Sequence, residues 1–587
     1  MGGPDARVEG VGGPDATVLE ALRRAAISAG DLVALIVAPG TGLGVATASG
    51  SVSLGLATAD PAGAVRLAEE AVRPRWVLWS NQAAAALTRD GLRLATCWDV
   101  AAVHRLVFGG WRADPARVWA RLHDLGLDSI PTTAPVDLFT HAERDVDADQ
   151  PIRADGHLNP DWVEGGWSSG PDRLRRWAEV AAAAADRQQG LVAGLRERPR
   201  APATARAESA AELLCVELSI DGLPMDRAVA EGIIASVVGP RPRTEAEAAA
   251  ARARRDAEVL RRAPPGGDVD LRSPGQVKLL LRRIGLDLAD TRAWRLRELR
   301  DVHPVVDALL AWRKAERMAT TYGYSWLDEH LGPDGRLRGA WSGSDGAAGR
   351  MTASAGLHNM PADMRPAVVA EPGHVFVRAD LGQIEPRVLA AVSRDPALAR
   401  ATAADDLYAP VAADLAVDRA TAKVAVLGAM YGQTTGHGAN ALRGLQAAYP
   451  VAMAFLEDAA RAGRAGQDVR TYGGRLIPMG WSAAGEDRAQ AAARGRYGRN
   501  ALIQGAAAEL FKTWAVTVRA RAGALGARIV LCLHDELLVH VPIEEGKETA
   551  LVLERCLQEA AHRWAPDDSV RFVADIAVIA RWSDAKD

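Results

Sequence analysis

Three short segments hold residue types that together could carry out phosphoryl transfer. In HVFVRADLGQIEPRVLAAVS, residues 374–393, the run from Val375 to Ala379 predicts a strand and the stretch from Gln383 a helix, with Pro386 tolerable only in its first turn. Asp380 therefore falls at a strand end, where a carboxylate can reach a metal ion or can cap the following helix. In ARIVLCLHDELLVHVP, residues 527–542, two apolar runs flank His534-Asp535-Glu536, the pattern of a hairpin with an acidic tip. A plain polar turn would read the same way. If Asp380 ends another strand of that sheet, however, the carboxylates meet the requirement of two hard cations about 3.5–4 Å apart. In DRATAKVAVLGAMYGQTTG, residues 418–436, Asp418 can cap a helix on which Arg419, Lys423, Leu427 and then Met430 or Tyr431 form one stripe. Its cationic end suits a triphosphate and its aromatic end a base, although Arg and Lys one turn apart are also common on solvated helices.

The elements that must position these residues can be placed coarsely. GGPDA occurs twice near the start, and residues 1–25 read as a flexible tail. From Leu32 the apolar runs LVALIVA, LGVATA and VSLGLA, a helical stretch and then WVLWS predict an α/β domain over residues 26–200. RERPRAPATARAE, residues 196–208, is Pro/Arg-rich and reads as the main domain break. Beyond it, AELLCVELSIDG, TEAEAAAARARRDAEVLRR and SPGQVKLLLRRIGL predict long helices, the last with Ser273 as N-cap and Pro274 in the first turn. The face carrying Lys278, Arg282 and Arg283 either touches phosphates or is simply solvated.

Composition narrows the classes further. At 587 residues the chain is several times the rough 150-residue allowance per domain, so a disulfide scaffold is excluded. The net charge of −4 argues against nucleic-acid binding by bulk charge and leaves only a local cleft. Cys97, Cys215, Cys532 and Cys556 form no CxxC pair, which points away from a zinc cluster and towards a reducing cytosol. Neither a leader pattern nor an apolar run of about 18 residues occurs, so export and membrane insertion are not expected. Among 70 basic residues only Lys278, Lys314, Lys423, Lys512, Lys547 and Lys586 are lysines, which makes Lys423 conspicuous.

Taken in order, the three segments resemble motifs A, B and C of the family A DNA polymerases, the group of bacterial DNA polymerase I. Motif A of that family reads Asp-Tyr-Ser-Gln-Ile-Glu-Leu-Arg, and here Asp380-Leu381-Gly382-Gln383-Ile384-Glu385-Pro386-Arg387. Motif B is matched by Arg419, Lys423, Leu427, Gly428, Tyr431 and Gly432, and motif C by His534-Asp535-Glu536. GRMTASAGLHNMP, with Arg350 and Asn359, resembles the family's stretch that touches primer and template. RYGRNALIQGAAAELFK, with Arg496, Asn500 and Gln504, resembles its template-side helix. The likeness covers about residues 208–587 and implies a right hand: thumb 208–335, palm 336–400 and 496–587, fingers 401–495. It implies α/β and α+β domains, primer-template DNA and dNTPs as partners, and two Mg²⁺ ions on Asp380 and Asp535, with Mn²⁺ able to substitute. Lys423 and Arg419 would hold the β and γ phosphates and Lys423 would also protonate the leaving group, while Glu536 completes the acidic tip. Glu385 would exclude a ribose 2′-hydroxyl, Gln383, Leu427 and Tyr431 would line the nucleotide site, and His534 would position the primer terminus. Arg350, Asn359, Arg496, Asn500 and Gln504 would contact DNA. Leu381, Gly382, Pro386, His358 and Leu427 depart from the family's residues at their positions.

In this family the preceding domain is often a 3′-5′ exonuclease of ribonuclease H-like fold, whose first strand carries Asp-x-Glu. Here no Asp or Glu lies between Asp31 and Asp60, and Asp99 alone matches a second acidic motif. An inactive exonuclease-like domain is expected. The alternatives are an active exonuclease using Glu143, Asp145, Asp147 or Asp149, and a DNA-binding accessory factor with a decayed polymerase site. The resemblance also implies a cytoplasmic, nucleoid-associated bacterial monomer.

Overall fold

The computed structural model describes residues 14–133, 149–266, 269–345, 347–432, 438–480 and 488–585. Its contacts define two compact units. One comprises Met1–Asp221, Ala340–Thr352 and Phe376–Val578, the other Gly222–Gly339, Ala353–Val375 and Ile579–Asp587.

The run LVALIVA is the strand Leu32–Ala38. Val33, Leu35 and Val37 enter one apolar cluster and Ala34, Ile36 and Ala38 another, so both faces are buried and the strand shows no polar alternation. Its five-stranded sheet runs Ser53–Ala57, Gly42–Ala46, Leu32–Ala38, Arg75–Leu78, Cys97–Asp99. The first three strands are antiparallel, and the last two join parallel. Helix Pro171–Gly194 lies on this sheet so closely that a Cβ on Gly44 would meet the Leu174 carbonyl oxygen at 2.1 Å, and one on Gly55 that of Pro171 at 2.0 Å. Only glycine allows that approach.

Two expectations are corrected here. Residues 14–24, assigned by sequence to a flexible tail, form helix Pro14–Arg24, because Val18 and Leu22 bury in the cluster of Val33 and Leu35. The segment 196–208 is no domain break either: helix Ala201–Asp221 starts within it and belongs to the first unit. Glu208 on that helix is buried, accepts from Lys512 Nζ at 2.6 and 2.7 Å and forms an ion pair with Arg475 at 2.5 Å. Arg519 joins Glu217 at 2.7 Å and donates to the carbonyls of Leu94 and Ala95 at 2.6 and 3.0 Å. Paired charges thus hold this helix, whereas the Pro/Arg composition of residues 196–208 is what made the segment read as a linker.

The second sheet of the first unit runs Arg528–Leu533, Glu536–Pro542, His374–Leu381, Ala574–Ile579. The expected hairpin is present, with Leu533 paired to Glu536 across the tip. Helix Arg488–Ala522, 35 residues long, packs beside it and crosses the expected fingers–palm boundary at 495 without interruption.

The other unit is mainly helical, with Val259, Leu280, Val306 and Leu309 in its core. Ser273 caps helix Pro274–Arg283 as expected. On that helix Lys278 donates to the Ala289 carbonyl, Arg282 pairs with Asp287 at 3.0 Å and Arg283 donates to the Pro264 carbonyl, so this basic face is locally satisfied. None of the described helices is long and apolar enough to cross a membrane.

Candidate active site

The motif-A segment folds as strand His374–Leu381 followed by helix Ile384–Ser393. Gln383, in a left-handed conformation with φ 55°, occupies the N-cap position, so Asp380 is released from the capping alternative. Arg387 stays buried and donates to five backbone carbonyls, those of Gly382, Thr402, Ala404, Asp405 and Arg571, which fixes the start of this helix.

The Leu381 amide donates to the Asp535 carbonyl at 2.9 Å, bringing the end of this strand against the hairpin tip and setting Asp380 beside Asp535. Burial, then the charge of Asp380, pushes the Asp535 carboxyl up to about 7. The sequence reading missed a cation at this centre. Arg378, on the same strand face as Asp380, donates through Nη2 to Asp380 Oδ2 at 2.8 Å and through Nε to Glu536 Oε1 at 3.0 Å. Its signal was an arginine two residues before the aspartate inside an apolar strand. Crowded carboxylate oxygens, one of them held towards its neutral form, with a guanidinium among them, form a hard, anionic donor set that fits Mg²⁺ or Mn²⁺.

Beside this centre Glu385 is nearly buried. Its Oε1 accepts from Arg350 Nη2 at 2.7 Å and its Oε2 from the Tyr431 hydroxyl at 2.7 Å. Burial and then this bond raise the Tyr431 hydroxyl well above its ordinary range. Arg350, Glu385, Leu427, Tyr431, His534 and Asp535 line a cavity of about 230 Å³, with Gln383, Pro386, Ala507 and Ala508 completing much of its wall. His534 holds the hairpin tip at φ 55°.

The expected helix is Arg419–Tyr431, capped by Asp418 through the Thr421 amide at 2.9 Å. Its stripe is Arg419 and Lys423, both exposed, then Leu427 and Tyr431, both half-buried; Met430 is fully buried and takes no part. Among the described residues Lys423 makes no ion pair. Arg419 donates through Nε to Asp406 Oδ2 at 2.5 Å, and the other oxygen of Asp406 accepts from Gln383 Nε2 at 2.7 Å. Asp406 thus joins motif A to the helix; an Asp within an Ala-rich stretch carried no signal of that.

Arg496, Asn500 and Gln504 lie on one face of helix Arg488–Ala522. A Cβ on Gly432 would sit 2.8 Å from Arg496 Cγ, so this face adjoins the end of the Arg419–Tyr431 helix. Asn359 belongs to the other unit, where its carbonyl accepts from the Tyr322 hydroxyl at 2.6 Å and Arg317 at 2.8 Å.

In the N-terminal sheet the first strand carries no carboxylate. Asp99 is buried, and its Oδ1 caps helix Val100–Phe108 by accepting from the Ala102 amide at 2.8 Å. Glu143, Asp145 and Asp147 lie outside the described residues, and Asp149 pairs with Arg173 at 3.2 Å.

The sequence model of "DNA polymerase family A" matches residues 243–584. The chain belongs to that family. Family relatives include DNA polymerase I of Deinococcus radiodurans, 27% identical over 363 residues, which are 55% of this chain and 37% of the relative. Thermostable DNA polymerase I of Thermus aquaticus is 30% identical over 347 residues, 52% of this chain and 41% of the relative. The chain therefore spans well under half the length of these relatives. Among solved structures, the POL domain of Pol1 from M. smegmatis in complex with DNA primer-template and dNTP aligns with a TM-score of 0.68 at 22% identity. That alignment covers 97% of this chain and 98% of the other, so the fold shared with that structure extends beyond residues 243–584 to the N-terminal part of the chain.

Proposed function

We propose that the protein is a template-directed DNA polymerase that adds deoxynucleotides to a primer 3′-hydroxyl. The observation that carries this reading is the seating of Asp380 beside Asp535, which lines a cavity that Leu427 and Tyr431 of the Arg419–Tyr431 helix also line. Asp380 and Asp535 would hold two divalent ions, Mg²⁺ or Mn²⁺. When bound, such ions acidify the attacking hydroxyl and neutralise charge on the triphosphate. Lys423 and Arg419 bind the β and γ phosphates, Arg419 leaving Asp406 to do so. Lys423 also protonates the departing pyrophosphate, which an ammonium does readily and a guanidinium, almost never deprotonated, does not. Glu385, held by Arg350 and Tyr431, occupies the room a 2′-hydroxyl needs. Gln383 and Leu427 complete the nucleotide site and His534 places the primer end. Arg350, Asn359, Arg496, Asn500 and Gln504 contact the DNA backbone or minor groove, reading shape more than sequence.

The N-terminal sheet, with strand order 3-2-1-4-5 in chain numbering, supports a ribonuclease H-like, exonuclease-type domain. With no carboxylate on its first strand and Asp99 capping a helix through Oδ1, the domain lacks a paired acidic centre among the described residues, and the protein is read as synthesising without proofreading. We place it as a monomer in a bacterial cytoplasm, on the nucleoid. The test is extension of a primed template with single added nucleotides and Mg²⁺: only the complementary dNTP is incorporated. Incorporation without regard to template, or none, refutes the reading.

A further inference from the structure

The Arg/Pro-rich segment around residues 194–206 borders two clefts of the first unit that meet at Arg200. One, of about 1070 Å³, is lined by Arg196, Arg198, Arg200, Arg394 and Arg470 together with Phe455 and Tyr472. The other, of about 650 Å³, adds Arg75, Arg206, Arg521 and Arg563 together with Trp564. Neither shares a residue with the cavity beside Asp535. In a chain of net charge −4 this is a strong local reversal of sign.

Glu197, Asp458, Asp468 and Glu559 also line the clefts but are outnumbered by the arginines. Asp458 pairs with Arg461 at 3.0 Å, Asp468 accepts from the Met479 amide at 2.7 Å, and Glu559 is shared by Arg521 and Arg563. Among the described residues the side chains of Arg196, Arg200, Arg206 and Arg394 make no ion pair or hydrogen bond, and Nε of Arg200 is buried without a partner. Arg470, by contrast, is fixed through the carbonyls of Val107 and Gly474 at 3.0 and 2.9 Å. Tyr472 and Trp564, ring centroids 4.8 Å apart, link the two clefts. Unpaired guanidiniums ask for phosphates, and the half-buried rings of Phe455 and Tyr472 in the larger cleft ask for unpaired bases, Trp564 itself being buried; a closed duplex does not satisfy that combination.

We propose that the two adjoining clefts form a second nucleic-acid site that takes single-stranded DNA. The choice of DNA rests on the polymerase reading; the chemistry of the ligand, an anionic strand with open bases, rests on the clefts alone. The triple variant Arg196→Glu/Arg206→Glu/Arg394→Glu changes only exposed side chains. Binding of fluorescein-labelled dT30, followed by anisotropy against salt, is expected to weaken at least tenfold. The slope of log affinity against log salt is expected to fall by about 2, from three phosphate contacts at about 0.7 each. The corresponding triple lysine variant retains binding. Wild-type affinity and slope in the charge-reversed protein would overturn the proposal. So would displacement of dT30 by polyglutamate of equal length at equal concentration, which would make the clefts an acidic-protein surface. Primer extension over a one-nucleotide template overhang is unchanged in the triple variant. A wild-type protein that binds dT30 in this way yet extends no primer would refute the polymerase reading and leave the cleft assignment standing.

Discussion

The Tyr431 hydroxyl donates to Glu385 Oε2 at 2.7 Å, which fixes the last residue of the motif-B stripe against the motif-A carboxylate. Arg350 holds the other oxygen at the same distance, so the carboxylate has no slack to move aside for a 2′-hydroxyl. Glu385→Ala is therefore expected to raise the ratio of rNTP to dNTP incorporation by at least tenfold in single-turnover assays. It should also slow dNTP addition, because Arg350 and Tyr431 lose a buried partner at about 1–3 kcal/mol. An unchanged ratio would remove Glu385 from the sugar site.

Leu427 lines the same cavity with no ring to sense the 3′ position. Leu427→Phe is expected to strengthen rejection of dideoxynucleotides relative to dNTPs, measured as the ratio of the two incorporation efficiencies. Equal ratios in the two proteins would place residue 427 away from the sugar.

Arg378 joins Asp380 and Glu536 with side chains 9% and 6% exposed for Arg378 and Glu536. Removing one partner of such a pair leaves the other buried and uncompensated, at about 3–5 kcal/mol. Arg378→Met should lower the melting temperature in EDTA, and Mg²⁺ should restore more stability to it than to the wild type, because a metal cation then supplies the missing charge. Equal Mg²⁺-induced shifts in the two proteins would contradict this role. Calorimetric scans with and without Mg²⁺ decide the point.

Glu509 is buried, and burial raises its carboxyl from 4.5 to about 7. A carboxyl whose folded value is raised contributes stability that is fully present below about 4.5 and is lost as pH rises through about 7. Glu509→Gln cannot ionise, so its melting temperature relative to wild type should rise between pH 5.5 and pH 8.5. A difference that stays constant across that range would show that Glu509 does not titrate there.

Much of the candidate site's local geometry was legible because it rests on local pattern. Two apolar runs flanking a polar turn place Asp535 at a hairpin tip, and a cap followed by an i, i+4, i+8 stripe orients Arg419, Lys423 and Leu427. What could not be read depends on partners distant in sequence. Arg378 pairs with Glu536, 158 residues away, and Glu208 with Lys512, 304 residues away. The first turns of helix Ala201–Asp221 looked like a linker because they are Pro/Arg-rich, while the cations that meet its buried glutamates come from the far end of the chain.

With Asp99 committed to a helix cap, a mispaired primer 3′ end should not be shortened in the presence of Mg²⁺ or Mn²⁺. Metal-dependent shortening that disappears in Asp99→Asn would establish a working exonuclease. Gel analysis of a 5′-labelled mispaired primer reads this directly.

In the proposed polymerase Asp380 and Asp535 act as one centre. Single-turnover extension of a primed template by Asp380→Ala and Asp535→Ala, with primer-template affinity measured in parallel, tests it most directly. Each substitution should lower the rate by at least a thousandfold while affinity stays within about threefold, the pattern of a group that stabilises only the transition state. Near wild-type extension by either variant would contradict the assignment.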